Sequence, residues 1–264
     1  MSDIYSLVQR IFSDKYLSQQ LNNASLMINS ETFKQAITLS EEFKKKGIFT
    51  KDFFSAIHNA IAANNFVDKF NAIMLEIDFP PLLEVELDEM KEIVAFYEKN
   101  GVRKSKTKIE SYIESFYNNE VIQGIIEDWY SNEIVKKRIE VFKEILANHS
   151  DQRYFSSISL LIAQYEGTIV DKFNYKGKMK GKEYQELRNR LFKSKISSSF
   201  DKNVDELFNV KILCQFEHGQ TIGSPLSRHA IVHGSDTAFG TKINSIRCIL
   251  IYDYIIKKLD WIVE

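Results

Sequence analysis

Apolar residues recur along this chain at intervals of three and four, the spacing that lines one face of an α-helix. Ile4, Leu7, Val8 and Ile11 form the first such stripe. Ser30 reads as the N-cap of a helix bearing Phe33, Ala36 and Ile37, which stops at Gly47; Thr50 starts another with Phe53, Phe54, Ile57 and Ile61. Phe79-Pro80-Pro81 breaks the pattern, because proline has no N–H to donate and its ring clashes inside a helix. A further helix then runs to about Gly101 with Met90, Val94 and Tyr97 inward.

Residues 101–108 (GVRKSKTK) are polar and basic. They read either as a linker between two halves of the chain or as the solvated start of a helix. Beyond them come Ile109, Tyr112, Ile113, Phe116 and Tyr117, then Val121, Ile122, Ile125, Ile126 and Trp129, then Ile134, Arg138, Phe142 and Leu146. The first is a clean helical stripe, and the other two are further segments. Ser150 is expected to cap a longer helix carrying Tyr154, Ile158, Leu161, Ile162, Tyr165 and Ile169. After a loop near residues 197–202, Val204, Leu207, Phe208 and Ile212 mark another helix. Gly219 and Gly223 mark loops, and Ser224-Pro225 predicts a short helix over residues 226–233, closed by Gly234. Thr241 caps the last helix, which runs from Ile243 to about Ile262 and is apolar on nearly all sides, as expected at the centre of a bundle or in an interface. The pattern predicts an all-α protein.

Composition sharpens that picture in a few respects. With 264 residues, 44% apolar and 27% charged, the chain has the make-up of a folded globular protein, not of a disordered one. Three prolines and ten glycines are too few for the many turns of a β-protein. A net charge of −1 gives no general electrostatic grip on nucleic acid, so any such grip must be local. Two cysteines, Cys214 and Cys248, make no disulfide framework and read as buried, reduced thiols, which suits a cytoplasmic protein. The N-terminus lacks a signal-peptide core, and residues 249–256 are too short and too interrupted by Asp253 to span a membrane.

One local basic segment stands out. Residues 176–195 hold eight basic and two acidic side chains. Its first part reads as a loop, its second as a helix with Leu187 and Leu191 inward. Lys176, Lys178, Lys180, Lys182, Arg188 and Arg190 are its candidate RNA-binding residues, by contact with phosphate. The plainer reading is a solvated helix face.

The candidate chemistry lies in SPLSRHAIVHG, residues 224–234. His229 and His233 are four apart and share a helix face. Arg228 is five before His233, a step of about 140° around a helix, which a long side chain at the helix start can offset. Imidazole titrates near neutrality and serves as general base or acid. Guanidinium stays charged and offers a fork of donors matched to phosphate oxygens. Together they suit phosphoryl-ester chemistry: a histidine takes the 2′-OH proton of RNA and the arginine stabilises charge on the pentavalent phosphorus. No metal and no cofactor is needed. Two alternatives stay open. His233 could simply satisfy the carbonyls of its helix end, and His229 with His233 could share zinc, although no third ligand is evident nearby.

The block SPLSRHAIVHG, followed by FGTKINSIRCILIYDYI, resembles the C-terminal signature of HEPN-fold proteins. It is closest to prokaryotic versions with an N-R-H-x-I-L-H-G type block and a following T-x-x-N-S helix. The resemblance covers about residues 120–264 and is sharp over residues 224–254. It implies a four- or five-helix domain, here residues 106–264, preceded by an N-terminal helical region, residues 1–105, of unassigned role. It also implies a homodimer and metal-independent endoribonuclease activity, in a toxin–antitoxin or phage-defence setting with an antitoxin or nucleotidyltransferase partner. Arg228, His229 and His233 match the positions of the family's catalytic motif, and two copies of His233 across a dimer could act as base and acid. The competing expectation is a HEPN-like module that binds nucleotide, RNA or a partner without cutting.

Supporting roles fall to three residues. Glu166 lies beside the stripe Ile158, Ile162 and Val170, so it either pairs with Arg228 or reaches solvent at the stripe edge. Asp253, inside the most apolar helix, needs a donor: Arg228, a histidine or a tyrosine hydroxyl, with a structural hydrogen bond favoured. Asn244 could orient a histidine or touch phosphate. Trp129, Trp261 and the tyrosines read as core, not as base-stacking platforms.

Overall fold

A computed structural model describes residues 66–80, 82, 85–193 and 199–261. The stripes at Ile4, Ser30 and Thr50, together with His58, lie outside the described residues, as does the Trp261 side chain. Among the described residues every regular element is helical and there is no strand. A helical stretch at residues 66–76 is followed by α1 (Leu87–Phe116), α2 (Asn119–Trp129), a 3₁₀ turn (Lys136–Arg138), α3 (Ile139–Ser150), α4 (Tyr154–Lys172), α5 (Gly181–Phe192), α6 (Ser199–Leu207), α7 (Arg228–Val232) and α8 (Lys242–Trp261). No helix among the described residues is long and apolar enough to cross a membrane.

The all-round apolar helix is the axis of the structure. In α8 every residue from Asn244 to Ile256 is buried, and the helix packs mainly on α4, then on α2 and α1. Thr241 caps it as expected, its Oγ1 accepting from Asn244 N at 3.3 Å. α3 also packs on α4, and its Phe142 and His149 reach α8. Helices α2 and α4 present the predicted faces: Ile122, Ile125, Ile126 and Trp129 from one, Ile158, Leu161, Ile162, Tyr165 and Ile169 from the other.

Residues 101–108 are helical, so the solvated helix start is the reading that fits. Gly101 breaks α1 with φ 73° and ψ 172°, a left-handed backbone that glycine adopts without the steric cost of a Cβ. The basic residues follow it on the exposed side while Ser105, Ile109 and Ile113 turn inward. Residues on both sides of 105 enter one apolar core, which runs from Val67 and Phe70 through Met90 and Val94 to Ile255 and Leu259.

Four boundaries differ from expectation. Ser150 ends α3 instead of opening α4, whose N-cap position is Arg153 with no side-chain cap. The Ile134–Leu146 stripe is split, because a 3₁₀ turn at 136–138 precedes α3. Residues 199–202 belong to α6, which continues into a π-turn, Phe208–Ile212. The short helix begins at Arg228, two residues later than predicted. Ser224 instead organises the turn before it, its Oγ accepting from Leu226 N at 3.1 Å, and Ser227 is the true N-cap, accepting from Ala230 N at 3.3 Å. Both serines satisfy the residue preference for that position; the one with free amide donors ahead of it wins.

Candidate functional site

The short helix α7 is fixed at both ends by its own sequence. At its C-terminus His233 is the C-cap and Gly234 follows with φ 72°. Gly234 N donates to Ile231 O at 3.1 Å and Ser235 N to Ala230 O at 2.8 Å. This is the paired closure that a left-handed glycine permits, and it satisfies two carbonyls that would otherwise be orphaned. At the N-terminus Ser227 Oγ donates to Cys214 O at 3.3 Å, so residues 214–227 form a loop whose ends are tied together.

The surroundings of the side chains then follow from position. Arg228, half-buried, reaches α4: its Nη1 lies 3.2 Å from Glu166 Oε2, with roughly a third of each side chain exposed. Of the two readings open for Glu166, the pair with Arg228 is present. Tyr184 of α5 stands in the field of both members of that pair. Its hydroxyl is buried and has no hydrogen-bond partner, and burial raises its pKa above the usual phenol value, with Arg228 opposing and Glu166 adding.

The imidazoles engage other neighbours. His229 and His233 lie parallel, ring centroids 6.4 Å apart and planes 8° from each other. His233 also faces Phe216 of the tied loop at 6.2 Å and 26°. Phe216 in turn meets His218 edge-on at 4.8 Å. His218 Nδ1 shares a hydrogen bond of 2.8 Å with Ser235 Oγ, just past the glycine that closes α7. His218 and His233 are exposed, and His229 and Phe216 half-buried. The structure thus gives Arg228 an acidic partner on the α4 side and gathers three imidazoles on the loop side. It gives no third ligand for a zinc ion: among the described residues no three His, Cys, Asp or Glu side chains are grouped to hold a metal.

Other predicted site residues lie elsewhere. Asp253 is buried in the core, where its Oδ1 accepts from Trp129 Nε1 at 3.0 Å and its Oδ2 pairs with Lys257 at 2.7 Å. An indole and an ammonium are among its donors, as fits a structural hydrogen bond inside the apolar helix. Asn244 touches neither histidine nor solvent. It is buried, donates to Phe239 O at 2.9 Å and accepts from Arg247 Nη1 at 2.9 Å, bracing the turn that leads into α8. Trp129 is core as expected, in edge contact with Phe142 and Tyr252. Cys248 is buried and burial pushes its thiol up to about 12; Cys214 is only half-buried, against expectation.

The basic segment divides in two. Lys176, Lys178, Lys180 and Lys182 are exposed. Arg188 is not a surface residue: it is buried, its Nη1 lies 3.3 Å from Asp205 Oδ1, and its guanidinium stands 5.5 Å from the ring centroids of Tyr184 and Phe208. The i, i+4 step from Tyr184 to Arg188 puts it on the inward face, and a carboxylate from α6 makes burial tolerable. Arg190 is exposed at residue level but lies over the Phe173 ring at 4.1 Å.

His218, Phe216, Ser235 and Tyr184 were not predicted as site residues. The loop path that brings His218 back over the end of α7 is set by the two serine contacts, which span 13 and 17 residues and leave no periodic signal. Compared with family models, with curated proteins and with solved structures, the chain matches none of them.

Proposed function

We propose that the protein is a metal-independent endoribonuclease of HEPN type that cleaves RNA by 2′-OH attack. Residues 106–264 would form the HEPN-like bundle and residues 1–105 would set the trigger or the substrate. The observation that carries this reading is the arrangement around α7. Arg228 is oriented by Glu166 while roughly a third of it remains open to solvent, and the same short helix holds His229 and His233 at an accessible surface. A guanidinium steadied by one carboxylate keeps donors for a phosphate. An exposed imidazole can exchange protons with a ribose hydroxyl. The exposed lysines 176, 178, 180 and 182 would hold the RNA backbone in a salt-dependent way. A homodimer, a toxin or antiviral-defence setting in the cytoplasm, and an antitoxin or nucleotidyltransferase partner belong to the same proposal.

The near-parallel rings of Phe216, His233 and His229 favour a second reading, a binding module on which a base stacks without being cut. One experiment separates the two. The purified protein is incubated with mixed-sequence RNA in excess chelator. The nuclease reading expects cleavage that survives chelation and falls by about a hundredfold or more in both His233→Ala and Arg228→Ala. RNA retained on the protein but left intact supports the module, and cleavage abolished by chelator defeats both.

A further inference from the structure

We propose that His218 is a second proton-transferring catalytic residue at this site, so that one chain holds both the base and the acid for RNA cleavage. The inference rests on the nuclease reading above and goes beyond it, because it replaces the second subunit's His233 as the source of the acid.

Three placements lead to it. The loop carrying His218 is tied down twice: at its base by Ser227 Oγ on Cys214 O, and near its tip by Ser235 Oγ on His218 Nδ1. The second tie engages one ring nitrogen, Nδ1, and leaves Nε2 of this exposed residue outside that hydrogen bond. A single ring, Phe216, meets His218 edge-on at 4.8 Å and faces His233 at 6.2 Å, so the two imidazoles neighbour one aromatic ring and flank it separately. Separation is what an in-line displacement demands. The attacking and departing oxygens lie on opposite sides of the phosphorus, and a base and an acid that serve them must stand apart, on either side of the phosphate. His229 is a poorer candidate for the second role, since it lies parallel to His233 on the same helix face.

The step balances within the chain. His233 takes the proton of the 2′-hydroxyl as that oxygen bonds to phosphorus. The bond from phosphorus to the 5′-oxygen breaks, and His218 Nε2 gives its proton to the departing oxygen. The products are a 2′,3′-cyclic phosphate and a 5′-hydroxyl, with water returning both histidines to their starting states. Arg228 bears the charge on the non-bridging oxygens throughout.

The test uses the full chain and two RNAs of the same sequence, one natural and one with sulfur in place of the 5′-oxygen at the linkage that the wild-type protein cuts. A thiolate leaves without a proton, so an acid is dispensable for the second RNA only. His218→Ala is expected to lower kcat on natural RNA by about a hundredfold to a thousandfold and on the sulfur RNA by less than about threefold. His218→Asn, which can keep the Ser235 hydrogen bond but has no group at the Nε2 position, is expected to match His218→Ala, whereas His233→Ala loses both RNAs. Equal losses on the two RNAs, no loss on natural RNA, or a His218→Asn variant with wild-type activity would each overturn the role of His218 and leave the nuclease reading standing. A wild-type protein that cuts neither RNA ends both.

Discussion

Two regions of this molecule treat polar groups in opposite ways. Where α8 meets α2, α3 and α4, polar groups are buried and most are matched to one another, the Nε2 of His149 being an exception. Trp129 donates to Asp253, Tyr165 to the Cys248 carbonyl at 2.9 Å, Thr168 and Tyr252 share a 2.6 Å hydrogen bond, and His149 and Ser157 both reach Ser245. Around α7 the polar groups are only partly matched: Arg228 and His218, both open to solvent, have one carboxylate and one serine, and the buried Tyr184 hydroxyl beside them has no partner. A buried polar group without a partner costs stability, so the first region is closed to anything new. Donors that face water keep capacity for a ligand, so the second region is the one able to bind and react.

The sharpest way to break that contrast is to remove a partner on each side. Trp129→Ala is expected to cost about 3–5 kcal/mol, since it deletes a large buried ring that packs on Phe142 and Tyr252. Asp253→Ala is expected to cost about 3 kcal/mol, because Trp129 Nε1 then has no acceptor inside the core, while Lys257 can turn toward solvent. Glu166→Ala should cost under about 1 kcal/mol, as its pair with Arg228 is open to solvent. Urea denaturation of the three variants measures this directly. A Glu166→Ala loss as large as that of Asp253→Ala would mean that the α7 region is as structural as the core.

A comparable effect is expected from acid. Burial pushes the His149 imidazole down to about 4, with nearby Lys242 acting in the same direction. Its Nδ1 is bonded to Ser245 Oγ at 2.8 Å and its Nε2 is buried without a partner. The folded state therefore binds a proton more weakly than the unfolded state, whose histidine has the ordinary value of 6.5. The stabilisation from neutral His149 is complete above 6.5 and is lost progressively as pH falls from there toward about 4, by up to about 3 kcal/mol. Stability measured at intervals across that window should fall less steeply in His149→Phe, which keeps a ring against Tyr154 but has nothing to protonate. Equal slopes in the two proteins would refute this account.

The core side of the contrast was largely legible in the sequence and the site side was not. Stripes such as Ile158, Ile162 and Ile169 or Ile122, Ile126 and Trp129 announce which face is buried, because helical periodicity is local and burial is non-specific. The solvent-free surroundings of α8 follow from the same rule. What fixes a polar group is a named partner far along the chain: Asp205 for Arg188, Trp129 for Asp253, Ser235 for His218. Nothing in the spacing of residues encodes those distances. Arg188 therefore passed for surface by composition, and His218 passed unnoticed beside Gly219. Glu166 with Arg228 was one of two readings the pattern left open, because a carboxylate at the edge of an apolar stripe either finds a cation or reaches solvent.

The smallest predicted effect probes the boundary between the two regions. Tyr184 belongs to the core by burial and to the site by its nearness to Glu166 and Arg228. Its hydroxyl has been taken out of water without gaining a partner, so removing it relieves a desolvation penalty. Tyr184→Phe keeps the ring that packs on Phe208 and is expected to change stability by zero to about +1 kcal/mol in the stabilising direction. A loss of about 1 kcal/mol or more on urea denaturation would carry the opposite lesson. It would place a hydrogen-bonding water against the hydroxyl, and the accessible surface around Arg228 would then extend inward past Glu166 to the face of α5.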